Sequence, residues 1–181
     1  MSSLLTISRA IDWFNERVGK AMMWLVLAAV LVSSINAFVR YGFNVSSNAW
    51  LELQWYLFGA VFLLGAAYTL KQNEHIRIDI VSARLSQNAR NWIEIIGHVL
   101  FLTPLCLLML WLGVPFFLRS FASGEISSSA GGLIVWPAKL LVPLGFALLL
   151  AQAISEVIKR IAFMNGLIPE PNLRGGAHAP E

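Results

Sequence analysis

Charge is scarce in this sequence. Only 13% of its 181 residues are Asp, Glu, Lys or Arg, against 57% hydrophobic; an ordinary soluble domain carries about 25% charged residues. Cysteine occurs once, at Cys106 inside an apolar run, so no intrachain disulfide can form and the thiol reads as a small core residue. There are three histidines, and only His98 lies in an apolar run, which argues against a membrane haem held by two imidazoles. There is no Gly-rich phosphate loop, no zinc-ligand spacing and no nucleophile–base set, so the sequence predicts no enzyme activity and no cofactor. No stretch outside the apolar runs exceeds 23 residues. A piece shorter than about 40 residues builds no core of its own. A separate catalytic or nucleic-acid-binding domain is thereby excluded, and the net charge of +3 needs no nucleic acid to explain it.

What the chain has is long apolar runs, at 21–39, 50–70, 92–118 and 137–158. A bilayer core needs about 20 apolar residues per helix. The runs predict an all-α integral membrane protein with four transmembrane helices in one domain, 1–160, contacting membrane lipid, followed by a disordered tail at 161–181 rich in Pro and Gly. The first run lacks a small-residue cleavage site and is longer than a signal peptide's apolar core, so it reads as a retained anchor. Ten of the 13 Lys and Arg residues lie before the first run, between the second and third, or after the fourth; Arg40, Arg119 and Lys139 lie on the other side. The positive-inside bias places both termini and the 71–91 loop in the cytoplasm.

Leu4, Ile7, Ile11, Phe14 and Val18 recur at helical spacing and predict an N-terminal amphipathic helix over 4–18. Such a helix lies in the membrane plane, or it extends the first span. Small or polar stripes mark faces buried against protein: Ala29, Ser33 and Asn36 or Ala37 in the first run, Glu52, Gly59 and Ala66 in the second, Ala138, Gly145 and Gln152 in the fourth. Gln152 is placed to bond a neighbouring helix. Arg40 ends the first run and Glu52 begins the second, with Trp50 beside it, and the short connection suits an Arg40–Glu52 pair. Glu52 is then either a structural carboxylate or a carrier of a coupling proton or ion. Glu94 and His98, four apart, share a face near the start of the third run, where a hydrogen-bonded pair is expected. Pro104 and Pro115 are kink sites. Trp136, Pro137 and Lys139 open the fourth helix at the interface, Lys139 as its anchor, and the Ser- and Gly-rich 120–132 loop reads as mobile or ordered by a partner.

The densest polar signal is Glu74-His75-Ile76-Arg77-Ile78-Asp79, a connector or a docking surface. This stretch resembles the His-x-Arg-hydrophobic-Asp loop of the small membrane (Q-type) subunit of tripartite ATP-independent periplasmic (TRAP) transporters. Ala49-Trp50-Leu51-Glu52, Leu64-Gly65-Ala66-Ala67-Tyr68, Arg40, Trp136-Pro137-Ala138-Lys139 and Pro143-Leu144-Gly145 fit the same family in order and spacing, over about residues 20–160.

The resemblance implies a small inner-membrane subunit, in a bacterium or archaeon, that scaffolds a large multi-span membrane subunit. A periplasmic substrate-binding protein would deliver a small organic acid to that large subunit, and a sodium gradient would drive uptake. Sodium and substrate sites would belong to the large partner. His75, Arg77 and Asp79 would fix the cytoplasmic loop or its docking. The competing reading is a self-sufficient small homo-oligomeric transporter with Glu52 as coupling carboxylate. A redox membrane anchor is the third class and has the least support.

Overall fold

The structure is a computed structural model, and it describes residues 2–44, 47–72 and 86–169. Four helices account for nearly all of them: α1, Ser2–Phe43; α2, Asn48–Gln72; α3, Gln87–Ser123; and α4, Trp136–Met164. Each contains one of the apolar runs and is long and apolar enough to cross a membrane. This is the all-α, four-span class the hydropathy predicts. Successive helices run antiparallel, since the start of α1 meets the ends of α2 and α4. α4 packs against all three others, α1 against α2, and α3 chiefly against α4.

Of the two readings of the N-terminal amphipathic segment, the structure has the second: it extends the first span as the first half of a single 42-residue helix. At 1.5 Å per residue α1 is about 63 Å long, roughly twice the hydrocarbon thickness. Gly19, midway along it, does not break it. A Cβ there would fall 2.2 Å from the Tyr68 ring, so the glycine is fixed by the close approach of α2.

α3 begins at Ser86, whose hydroxyl accepts from Ala89 N–H. It widens to a π-helical segment at Gly97–Leu102, directly before Pro104. Proline cannot donate to the Leu100 carbonyl and its ring crowds it. Thr103 N–H bonds instead to the His98 carbonyl, five residues back. Pro115 lies inside the helix without interrupting it. Gly124 ends α3 in the left-handed region at φ 61°, a conformation that costs a side-chain-bearing residue more. α4 runs to Met164, past the expected end of its span.

The interior is the reverse of a soluble core. Its buried apolar residues are small: Ala29, Ala60, Ala67, Cys106, Ala153 and Ala162. The large ones face outward, Trp111 at 80% and Phe62 at 78% exposure. Lipid is as apolar as leucine, so nothing drives large side chains inward, and close packing of small residues supplies the cohesion. Gly145 carries the tightest contact of α4 with α2, because a Cβ there would sit 2.8 Å from the Leu63 carbonyl oxygen. Gly113 plays a milder part between α3 and α4, 3.4 Å from Pro143. Gly59 does not hold the close approach expected of it, since a Cβ there would meet only Leu141 at 3.9 Å. The fully packed positions on α2 are the adjacent Ala60 and Ala67.

Gly145→Ala is expected to destabilise the protein by about 1–3 kcal/mol through overpacking. Gly59→Ala should be neutral or slightly stabilising, because alanine is the better helix former. Thermal unfolding of the two variants in one detergent checks the contrast.

Candidate functional site

Buried polar side chains collect at the two ends of the bundle. At the terminal end, where α1 begins and α4 finishes, one face of α1 presents Ser8, Asp12, Asn15 and Gly19. Ser8, Asn15, Gln152 and Ser155 are all buried there. The Asp12 carboxylate accepts from Ser155 Oγ at 2.7 Å, Gln152 Nε2 at 2.9 Å and Lys159 Nζ at 2.9 Å. Asn15 Nδ2 donates to Gln152 Oε1 at 2.8 Å, and the hydroxyls of Ser8 and Ser155 meet at 2.7 Å. α2 joins through Lys71, which donates to Glu16 Oε2 at 2.7 Å and to the Asp12 carbonyl at 3.0 Å. α3 joins through Glu94, which pairs with Arg160, and through Asn91, whose Oδ1 accepts from Arg160 at 3.2 Å.

Gln152 bonds a neighbouring helix as its place in an apolar run predicts. The expected Glu94–His98 side-chain pair is corrected. His98 Nδ1 lies 2.7 Å from the Glu94 backbone carbonyl, while the Glu94 carboxylate turns to Arg160. A cation on the facing helix is the stronger attraction for a partly buried carboxylate.

At the opposite, loop end the 124–135 segment folds back on itself. Ser127 N–H donates to the Leu133 carbonyl, Val135 N–H to the Glu125 carbonyl, and Ile126 bridges Ile134. Glu52 holds this segment to α2: Ser127 Oγ donates to one carboxylate oxygen and Leu133 N–H to the other, at 2.7 Å. Asn48 and Tyr56, one turn either side, complete the seam by donating to the carbonyls of Ala130 at 3.1 Å and Ile134 at 3.2 Å. Tyr56 flanks the Glu52 stripe in the sequence, whereas Asn48 was not singled out, although their four-residue spacing about Glu52 marks one helix face. The loop expected to be mobile or ordered by a partner is instead tied down by α2 of the same chain.

Two sequence expectations change here. The Arg40–Glu52 pair does not form: Arg40 is exposed with no ion pair among the described residues, and the Glu52 carboxylate is used by the loop. Trp50 is 36% exposed on the first turn of α2. Lys139 does anchor the start of α4. Its ammonium pairs with Glu125 and lies 4.3 Å above the Phe116 ring centroid. That ammonium holds the Glu125 carboxyl below its ordinary pKa. His75, Arg77 and Asp79 lie outside the described residues. Among the described residues no cluster of His, Cys, Asp and Glu is able to hold a metal ion.

These features define a multi-pass helical membrane protein closed by a polar clasp at each end, with small residues packed between the clasps. Residues 29–163 match the family described as tripartite ATP-independent periplasmic transporters, DctQ component, and the chain belongs to that family. It is thus the small membrane component of a TRAP transporter. No curated protein and no solved structure matches the chain.

Replacing Asp12 with Ala removes the common acceptor of three donors and should cost about 2–3 kcal/mol, read by thermal unfolding. Glu52→Gln keeps one acceptor of two and should raise hydrogen exchange across 126–134 several-fold, whereas Arg40→Ala should leave it unchanged. Equal effects of the last two variants would restore the Arg40–Glu52 pair.

Proposed function

We propose that this chain is a static scaffold for the large membrane subunit and carries no solute itself. The observation that supports the reading is the distribution of polar side chains. Most are engaged in hydrogen bonds and ion pairs at the two ends, while the packed residues between are Ala29, Ala60, Gly113, Pro143 and Gly145. A solute path lined by this chain alone would need converging polar or ionisable groups at mid-depth. Glu52, the carboxylate most suited to coupling, has both oxygens engaged by the loop. The large apolar side chains on the outside of α1 and α3 offer area to lipid and to the partner.

In this reading both termini face the cytoplasm, the loop end faces the periplasm, and the protein sits in the cytoplasmic membrane of a bacterium or archaeon. A periplasmic binding protein delivers a small organic acid, and the large subunit carries it inward with sodium.

Reconstitution tests this. Proteoliposomes holding this chain alone should show no uptake. Chain, large subunit and binding protein together should take up an organic acid when sodium is higher outside, and not when potassium replaces it. Uptake by the chain alone would sink the scaffold reading and make Glu52 the first residue to titrate.

A further inference from the structure

The first half of α1 turns its small polar face inward, and its other face carries a different chemistry. Ile7, Trp13 and Phe14 are each more than half exposed, and Arg9 and Arg17 are exposed beside them. The Arg17 guanidinium stacks 4.7 Å from the Trp13 ring centroid. Arg9 bonds only within its own helix, to the Leu5 carbonyl and the Thr6 hydroxyl. The carboxylates of this segment are already neutralised: Asp12 by Lys159, Glu16 by Lys20 and Lys71. The outward face is therefore apolar and cationic, with no anion of its own among the described residues.

Its depth is set by the neighbouring helices. Lys71, at the end of the apolar run of α2, reaches Asp12 and Glu16. Gln152, Ser155 and Lys159, where the apolar run of α4 gives way to charge, meet Asp12 and Asn15. Both rulers put residues 12–16 at a boundary between hydrocarbon and headgroups. A vertical helix running on into water would leave Ile7, Trp13 and Phe14 wet. An indole at that level with an unneutralised guanidinium beside it suits the headgroup layer.

We propose that Arg9, Trp13 and Arg17 form a seat for anionic phospholipid headgroups, with Phe14 against the acyl boundary. The guanidinium groups take the phosphates in charge-assisted hydrogen bonds, and the stacked indole holds Arg17 extended. A protein partner would have to bring both an apolar strip and carboxylates to this face, whereas one anionic lipid supplies acyl chain and phosphate together. The seat lies outside the segment matched to the family, 29–163. Only its assignment to the cytoplasmic leaflet rests on the orientation proposed above; the lipid chemistry does not.

The test is native mass spectrometry of the purified full chain given equal amounts of phosphatidylglycerol and phosphatidylcholine. Phosphatidylglycerol adducts should dominate, and the preference should weaken as ammonium acetate is raised. Each arginine removed should lower the preference roughly fivefold, the value of one basic residue near an anionic surface. Arg9→Gln/Arg17→Gln should therefore nearly abolish it, Arg9→Lys/Arg17→Lys should restore most of it, and Arg119→Gln should leave it alone. Far-ultraviolet circular dichroism confirms that each variant is folded; if the double Gln variant is not, the salt series on the native chain decides. No lipid preference, or one indifferent to salt and to both arginines, overturns the proposal. If the double variant instead loses the large subunit from a co-purified complex with lipid content unchanged, the face is a protein interface and the proposal fails.

Discussion

One carboxylate sets the arrangement of the helices at the terminal end. Asp12 receives a hydroxyl, an amide and an ammonium from three successive inward positions of α4, while its own carbonyl receives the Lys71 ammonium from α2. Helices in lipid gain nothing by hiding leucine from water, so directional bonds and close contact must fix their register. An unpaired carboxylate at that depth is costly. Sliding α1 against α4 would break the bonds of Asp12, Asn15 and Ser8 together. The central place of α4 follows, since it supplies the donors on one side and Arg160 for α3 on the other. The charge balance of this end follows too: Asp12, Glu16, Glu94 and Glu156 are met by Lys20, Lys71, Lys159 and Arg160. Arg9 and Arg17 are left over, on the face that looks away.

The loop end repeats the device with fewer charges. Glu52 projects from the second turn of α2 into a folded-back segment and accepts from its Ser127 hydroxyl and its Leu133 N–H. A carboxylate accepting from a backbone N–H and a hydroxyl is well satisfied without a cation. That is why Arg40 is free to stay at the surface. Between the clasps, Gly19, Gly113 and Gly145 bring the helices close enough for the two ends to be satisfied at once.

The spans were legible because an apolar run of membrane length is seldom anything but a span. Glu52, Gln152, Gly145 and Lys139 were legible for the complementary reason: each is a chemical exception inside or beside such a run. Partner choice was harder to read. Arg40 is near Glu52 in the chain, but a hairpin of residues further along offers two donors with better geometry. The Leu4-to-Val18 pattern drew attention to the apolar side of α1, as it would in a soluble helix. Here the packed side is the small polar one, Ser8, Asp12, Asn15 and Gly19, because lipid inverts the rule. Gly59 and Ala60 show a finer limit. A seven-residue spacing fits two neighbouring faces equally well, and only contact with α4 selects between them. The 120–132 stretch reads by composition as mobile or ordered by a partner, yet Ser127 and the neighbouring Leu133 N–H are what a buried carboxylate requires.

The clasps also bear on how the subunit can move. To shift α1 against α2 and α4, the contacts of Ser8, Asp12, Asn15 and Glu16 must open together, at least seven simultaneous hydrogen bonds. At about 0.6 kcal/mol per interhelical bond in a membrane, that is on the order of 4 kcal/mol. A state so disfavoured is populated in about one molecule in a thousand. The loop-end seam and the glycine contacts raise the cost further. Rigid-body motion of all four helices breaks none of these bonds. Any large rearrangement during transport is therefore cheaper in a partner than within this bundle. The polar groups that close the two ends are thus also what resists movement of α1 within the bundle.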